Sequence, residues 1–283
     1  MSDAPRIVAA SAVPVDALRA AFNASFADYL VRFPPFDAAG WTLMLQRQGS
    51  ALASSLVALR ADTVVAFALV TPRPPGRTRV GVMGALPAER GRGSAARLLD
   101  AAIAAARDRG DASIELEVFA QNERAVALYR SRGFAPVGAL YGYAADALAG
   151  ACAAAAPQAV SRAEAVAWLD AADRAEPQRW PWQVMGEAVA ATPGDVVAWR
   201  QGGAQLVFRA DDAGPLAVLS LVDRDARQAD ATALLHALRA QHPGRALRAP
   251  PLQRDDGPAR AFDAAGWARE DLHQWLMRRA LAA

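Results

Sequence analysis

The chain predicts an α/β fold built as two successive domains, and three observations predict it. Strand-type apolar runs alternate with Ala/Leu-rich stretches of helical spacing through the first half. The length, 283 residues, and a hydrophobic content of 53% suffice for two cores of ordinary size. Third, the stretch Leu128-Tyr129-Arg130-Ser131-Arg132-Gly133-Phe134 finds an echo in Ala261-Phe262-Asp263-Ala264-Ala265-Gly266-Trp267. Leu98-Leu99 returns likewise as Leu234-Leu235, so the duplication is long-period and too large for a solenoid.

Taken in order, Ile7–Ala10 is a short apolar run, and Val15–Phe22 and Phe36–Arg47 carry helical spacing. Ser55–Leu59 and Thr63–Val70 are β-branched runs parted by Arg60-Ala61-Asp62, which predicts a hairpin. Pro72–Gly76 is a breaker-rich loop. A strand over Arg79–Leu86 leads through a glycine-rich turn into a helix over Ala95–Arg109, which Gly110 stops. Ser113–Phe119 predicts a strand with Leu116 and Val118 on one face and Glu115 and Glu117 on the other. Asn122–Arg132 reads as a helix ending at Gly133, and Phe134–Tyr143 as extended.

These elements set a first domain at 1–147, an Ala-rich linker at 148–156 and a second domain at 157–283. The second opens on Ser161-Arg162-Ala163-Glu164, a capping-box pattern before a helix over Ala165–Ala172. Strands follow at Asp195–Arg200, Ala204–Arg209 and Leu216–Val222, then a helix at Ala229–Ala240 and a terminal strand at Asp271–Met277.

Composition excludes several classes. Net charge is +2, from 31 basic residues, all of them arginine, against 29 acidic ones. No block of like charge forms a phosphate-binding stripe, so no nucleic-acid partner is expected. Cys152 stands alone, which rules out an intrachain disulfide and points to a reducing, cytoplasmic setting. The opening Met-Ser-Asp-Ala-Pro-Arg lacks the pattern of a signal peptide. Ala144–Ala156 is short and interrupted by Asp146, so no membrane span is expected. His236, His242 and His273 lie far apart without ligand patterns, which argues against a metal.

The chemistry concentrates in Arg90-Gly91-Arg92-Gly93-Ser94-Ala95. Glycine lets the backbone approach an anion closely, and the helix that follows adds partial positive charge at its N-terminus. That combination is a pyrophosphate cradle. It lacks the third glycine of a dinucleotide fingerprint and the Gly-Lys-Ser/Thr of a P-loop. The turn resembles the R-x-x-G-x-G/A signature of the GCN5-related N-acetyltransferases, the GNAT family. Strand Gly81–Leu86 and Pro87 are similar to the family's V-x-P-x-x-R-G-x-G run, with Ala85 in the valine place. Asn122-x-x-Ala125-x-x-Leu128-Tyr129-x-x-x-Gly133-Phe134 resembles its N-x-x-A-x-x-L-Y-x-x-x-G-F run. The likeness is most specific over 50–135.

The resemblance implies two tandem GNAT-like domains, each a twisted, mostly antiparallel mixed sheet flanked by helices. It implies acetyl-CoA as co-substrate, no metal, and a monomer or homodimer. The implied reaction moves acetyl to a primary amine, of a small molecule or a peptide N-terminus, by direct attack in a ternary complex. Carried over residue by residue, Ala85, Leu86, Arg90, Gly91, Arg92, Gly93, Ser94, Ala95 and Asn122 border the cofactor. Glu117 lies twelve residues before Tyr129, as does the base carboxylate in bacterial ribosomal-protein N-terminal acetyltransferases. It would take the amine proton directly or through a water. The N–H of Ala85 or Leu86, on a splayed strand, would meet the developing oxyanion. Tyr129 would protonate the departing thiolate. Asn122 either caps its helix or touches the pantetheine arm.

The second half keeps the fold signal without that chemistry. Asp223–Ala231 has no glycine and carries Asp223, Asp225 and Asp230, and Phe262 stands in the place of Tyr129. Trp180, Trp182, Trp199, Trp267 and Trp275 read as packing residues. Trp182-Gln183 resembles an element of degenerate halves in bacterial tandem acetyltransferases. In the family the acceptor side is walled by segments matching Val15–Arg47, the loop near Pro72–Gly76 and Gly138–Tyr143. Their only acids are Asp16, Asp28 and Asp37, so a polycationic acceptor is not demanded. Two other classes remain: a non-catalytic acyl-CoA sensor, and an assembly protein working through its second half.

Overall fold

Alternating apolar patterns become alternating elements, with ends moved by a few residues. A computed structural model describes residues 4–73, 76–147, 157–177, 179–209 and 214–281; the expected 148–156 linker and Cys152 lie outside them. The first elements are β1 (Arg6–Ala9), α1 (Val15–Phe26), α2 (Ala38–Arg47), β2 (Leu56–Arg60), β3 (Thr63–Arg73) and β4 (Arg77–Ala85). Then come α3 (Ser94–Asp108), β5 (Ser113–Phe119), α4 (Glu123–Ser131) and β6 (Ala135–Ala145). After them lie β7 (Gln158–Val160), α5 (Arg162–Ala175), α6 (Gly186–Ala191), β8 (Val197–Gln201), β9 (Ala204–Arg209) and β10 (Leu216–Asp223). The described chain ends with α7 (Ala229–Gln241), β11 (Leu247–Arg254), α8 (Pro258–Ala264) and β12 (Ala268–Ala280).

The chain divides into two compact units that differ from the contiguous stretches 1–147 and 157–283. One holds Met1–Val118, Asn122–Pro136 and Met277–Ala283; the other holds Phe119–Gln121 and Val137–Leu276. Most of β6 thus counts with the second unit and the end of β12 with the first.

In the first unit, strands run in the order β1-β2-β3-β4-β5, antiparallel up to β4 and parallel between β4 and β5. Ala61 and Asp62, both at positive φ, turn the β2–β3 hairpin. Leu18, Phe22 and Trp41 from the helices pack with Val57, Phe67 and Leu69 on one sheet face. Strand alternation sends the small side chains Ala66 and Ala68 to the other face. There α3 packs on the sheet and buries Leu98, Leu99 and Ile103. Each contributes about 1.5–3 kcal/mol by leaving water. Leu281 N–H closes this unit by donating to the Ala112 carbonyl at 2.9 Å.

The second unit orders its strands β12-β6-β11-β10-β9-β8-β7, and here too it holds a parallel pair, β10 and β11. Its first helix forms the expected capping box between Ser161 and Glu164. Trp180, Trp182, Trp199 and Trp267 are buried as packing residues. Strand β11 carries Pro250 and Pro251, which lack the N–H a strand reader looks for. Its register with β6 breaks there, between Ala249 and Gln253. The fold class read from the sequence, a mixed α/β chain with mostly antiparallel strands and flanking helices, is the one observed.

Candidate active site

The glycine turn is built as an anion cradle. Gly91 (φ 82°) and Gly93 (φ 85°) both occupy the left-handed region, where a Cβ is strained. Gly93 is the N-cap of α3 and supplies no side-chain cap, so the first N–H groups of the helix stay open to an outside acceptor. A Cβ placed on Gly93 would meet no heavy atom within 4 Å. The space in front of the helix is therefore clear, and the residues fit a pyrophosphate. One placed on Gly91 would lie 3.3 Å from Arg124 Nη2, so that guanidinium stands at the turn. Arg92 is exposed there; bonds from Arg60 first and then Ser94 hold the Glu89 carboxyl below its ordinary range, and the Arg92 charge adds to them. Ala95 follows as the second residue of the helix.

Two expected phosphate neighbours are turned elsewhere. Arg90 donates through Nη1 and Nη2 to the Asp28 carboxylate, both at 2.6 Å, and through Nη2 to the Ser25 carbonyl at 2.9 Å. Those bonds hold the Asp28 carboxyl below its ordinary range and tie the cradle to the end of α1. Ser94 donates its hydroxyl to Glu89 Oε1 at 2.6 Å, and Glu89 pairs with Arg60 at 2.9 Å. Ser94 can therefore serve an anion with its amide but not its hydroxyl.

Next to the cradle the sheet opens. Pairing of β4 with β5 covers only Arg77–Val80 against Ser113–Leu116. The register of β4 on β3 shifts at Gly81, a bulge at the point where β5 pairing stops. Residues 77–80 and 113–116 are buried, whereas 81–86 are half-buried. Leu86 N–H donates to the Val65 carbonyl at 2.9 Å. This corrects the expectation that Leu86 could meet an oxyanion: its donor is already used. In an antiparallel ladder successive N–H groups point to opposite sides, so the Ala85 N–H faces the opening.

Asn122 acts as the N-cap of α4, its Oδ1 accepting from Ala125 N–H at 3.2 Å. The Asn122 side chain also hydrogen-bonds Tyr29. Tyr129 on α4 is buried and meets Phe134 edge-on, with ring centroids 5.9 Å apart. Burial first, and then the neighbouring Tyr29, push its phenol far above the ordinary value, so it keeps its proton at neutral pH. Tyr29 and Arg124 escaped the sequence reading. Tyr29 lies in the acceptor-side segment, where only an unassigned aromatic hydroxyl marks it.

Glu117 is not a solvated strand residue. Arg79 Nε lies 3.2 and 3.0 Å from its two oxygens and Nη2 lies 2.7 Å from Oε2. The two side chains are 1% and 3% exposed. Arg79 is itself braced by Gln48, whose Oε1 accepts from Nη1 at 3.0 Å. Among the described residues no group of His, Cys, Asp and Glu could hold a metal ion, and no helix is long and apolar enough to cross a membrane.

With this geometry in hand, the comparisons agree on a class. Residues 16–134 match the acetyltransferase (GNAT) family model, a family of acyltransferases. An uncharacterized protein of Mycobacterium leprae is 43% identical over 81 residues; the match spans 28% of this chain and 22% of that protein. A putative acetyltransferase from Pyrococcus horikoshii shares the fold with a TM-score of 0.68 at 13% identity, over 100% of this chain and 91% of its own. A GCN5-related N-acetyltransferase from Sphaerobacter thermophilus gives 0.61 at 18% identity, over 99% and 96%.

Proposed function

We propose that the chain transfers an acetyl group from acetyl-CoA to a primary amine by direct attack in a ternary complex, with the chemistry in the first unit. The observation that carries this reading is an uncapped helix N-terminus behind two left-handed glycines, following a strand whose partner has just parted from it. Acetyl-CoA supplies an activated thioester. The amides of Gly91, Gly93, Ser94 and Ala95 hold its pyrophosphate, and Arg92 and Arg124 add positive charge.

The Ala85 N–H donates to the oxygen on which charge develops. Tyr129, kept protonated by its burial, gives a proton to the leaving sulfur. Both oxygens of Glu117 engage Arg79. The amine proton therefore reaches Glu117 through a water rather than by direct contact. Asn122 fixes the start of α4 and with it the height of Tyr129.

Calorimetry with acetyl-CoA, paired with release of free thiol on a panel of primary amines, tests the reading. One acetyl-CoA bound per chain and amine-dependent thiol release are expected. Binding without turnover on any amine would mark an acyl-CoA sensor instead, and two equivalent sites per chain would break the assignment to one unit.

A further inference from the structure

We infer that the acceptor carries a single ammonium on an apolar body and enters along Tyr29–Phe33. This rests on the acetyl-transfer reading above and adds the substrate class. Two side chains, Arg90 and Asn122, join the segment to the candidate site. Arg90 of the cradle grips Asp28 and Ser25, and the Asn122 cap holds Tyr29, the neighbour of Tyr129. The segment therefore begins beside the proposed proton donor.

That chain is apolar and open. Leu30, Val31 and Phe33 are 47%, 37% and 37% exposed. Phe33 does not float: its ring centroid lies 5.5 Å from that of Phe36 and 6.1 Å from that of Phe26. A backed, half-open ring gives an apolar body a surface on which to leave water. Exposed large side chains in sequence next to a candidate site are a ligand surface more often than scattered ones are.

Charge excludes the alternative. The only acids between residues 15 and 47 are Asp16, Asp28 and Asp37, and each is already engaged. Asp16 accepts from Arg19 at 2.9 Å, Asp28 from Arg90 at 2.6 Å, and Asp37 caps α2 by accepting from Gly40 N–H at 2.7 Å. Arg32, exposed between Val31 and Phe33, adds a positive charge to the strip itself. Within residues 15–47 a second or third ammonium would meet the Arg32 cation, and each carboxylate there already has a partner. A polyamine or an aminoglycoside is disfavoured for that reason.

The test uses the full chain with saturating acetyl-CoA and follows thiol release. Four acceptors are compared: 2-phenylethylamine, a short peptide with an N-terminal Phe, spermidine and kanamycin. Either apolar acceptor should exceed both polycations in kcat/KM by about tenfold or more; which of the two leads tells a free amine from a peptide. A polycation preferred over both overturns the inference while leaving acetyl transfer standing, whereas no turnover with any amine removes the reading beneath it. Phe33→Ser should raise the KM of the better acceptor about tenfold with the KM of acetyl-CoA unchanged. Leu30→Asp should improve spermidine relative to 2-phenylethylamine. Unchanged acceptor KM in folded Phe33→Ser, or an unchanged ratio in Leu30→Asp, overturns it.

Discussion

The turn from β4 into α3 and the turn from β10 into α7 both lead from a strand with a parallel neighbour into a helix. The likeness extends to the following helix. Phe134 N–H donates to the Tyr129 carbonyl at 3.1 Å, and Trp267 N–H donates to the Phe262 carbonyl at 3.0 Å. Gly133 (φ 78°) and Gly266 (φ 70°) turn the chain alike. The two cradles nevertheless do opposite things with their amides. In the first, Gly93 leaves the helix start open. In the second, the buried Asp223 accepts from Asp225 N–H at 2.8 Å and from Ala231 N–H at 3.1 Å. Gln228, at φ 58°, sits where Gly93 sits and donates to the Asp225 carbonyl at 2.6 Å. The protein's own carboxylate holds the place an outside anion would take. Anion binding therefore belongs not to the strand–turn–helix frame but to the donors that the frame leaves unused.

The largest effect should come from making the first turn resemble the second. Gly93→Asp puts a carboxylate at the open helix start and a Cβ on a backbone at φ 85°. Acetyl-CoA affinity should fall by about a hundredfold or more, with the strain costing about 1–3 kcal/mol of stability. Calorimetry on a variant whose melting remains cooperative checks this, and unchanged affinity would end the cradle assignment.

The next effect separates Tyr129 from Phe262. Tyr129→Phe should lower kcat about a hundredfold while acetyl-CoA affinity holds. The mirror change, Phe262→Tyr, should create no second activity, because the cradle beside it stays closed. A Tyr129→Phe enzyme with wild-type kcat would place the acid elsewhere.

The smallest effect is on stability. Asp223→Ala orphans the buried Ala231 amide and the part-buried Asp225 amide and should cost about 1–2 kcal/mol, read from urea midpoints, without creating a second acetyl-CoA site. Burial raises the Asp223 pKa, the two backbone amides opposing it. The native state then holds this proton in a window where the unfolded chain has lost it. The Asp223 contribution to stability is therefore greatest at acid pH and is lost as pH rises from the ordinary carboxylate range through the raised value. Asp223→Asn should remove that slope, and an identical slope in the variant would show that the titration belongs to another group.

Much of the cradle was legible because its geometry is written in single residues. Only glycine sits easily at the φ of Gly91, Gly93 and Gly133, and Asn122 and Tyr129 fall at fixed intervals on one short helix. Long-range partners were not legible. The alternation Glu115-Leu116-Glu117 reads as one wet face and one dry. Both carboxylates are in fact buried, because Arg79 from β4 and Arg278 from β12 reach them at 2.7 and 3.2 Å. Nothing near Arg90 in sequence announces Asp28, and nothing near Tyr29 announces Asn122. The Pro-Pro pair hid β11 for the opposite reason: a local breaker signal was overruled by pairing on both sides.

Residues from Met277 onward belong to the first unit, where Leu281 bonds Ala112, Arg278 reaches Glu115 and Arg279 caps the Arg132 carbonyl. A ribosome makes Ala112 long before it makes these. During synthesis the family domain emerges first yet waits, with the Glu115 carboxylate lacking Arg278, until more than a hundred further residues have followed. Order of translation and order of completion are thus uncoupled. A nascent chain halted after Pro136 holds the whole glycine turn and the whole Tyr129 helix but not the strand that finishes their unit.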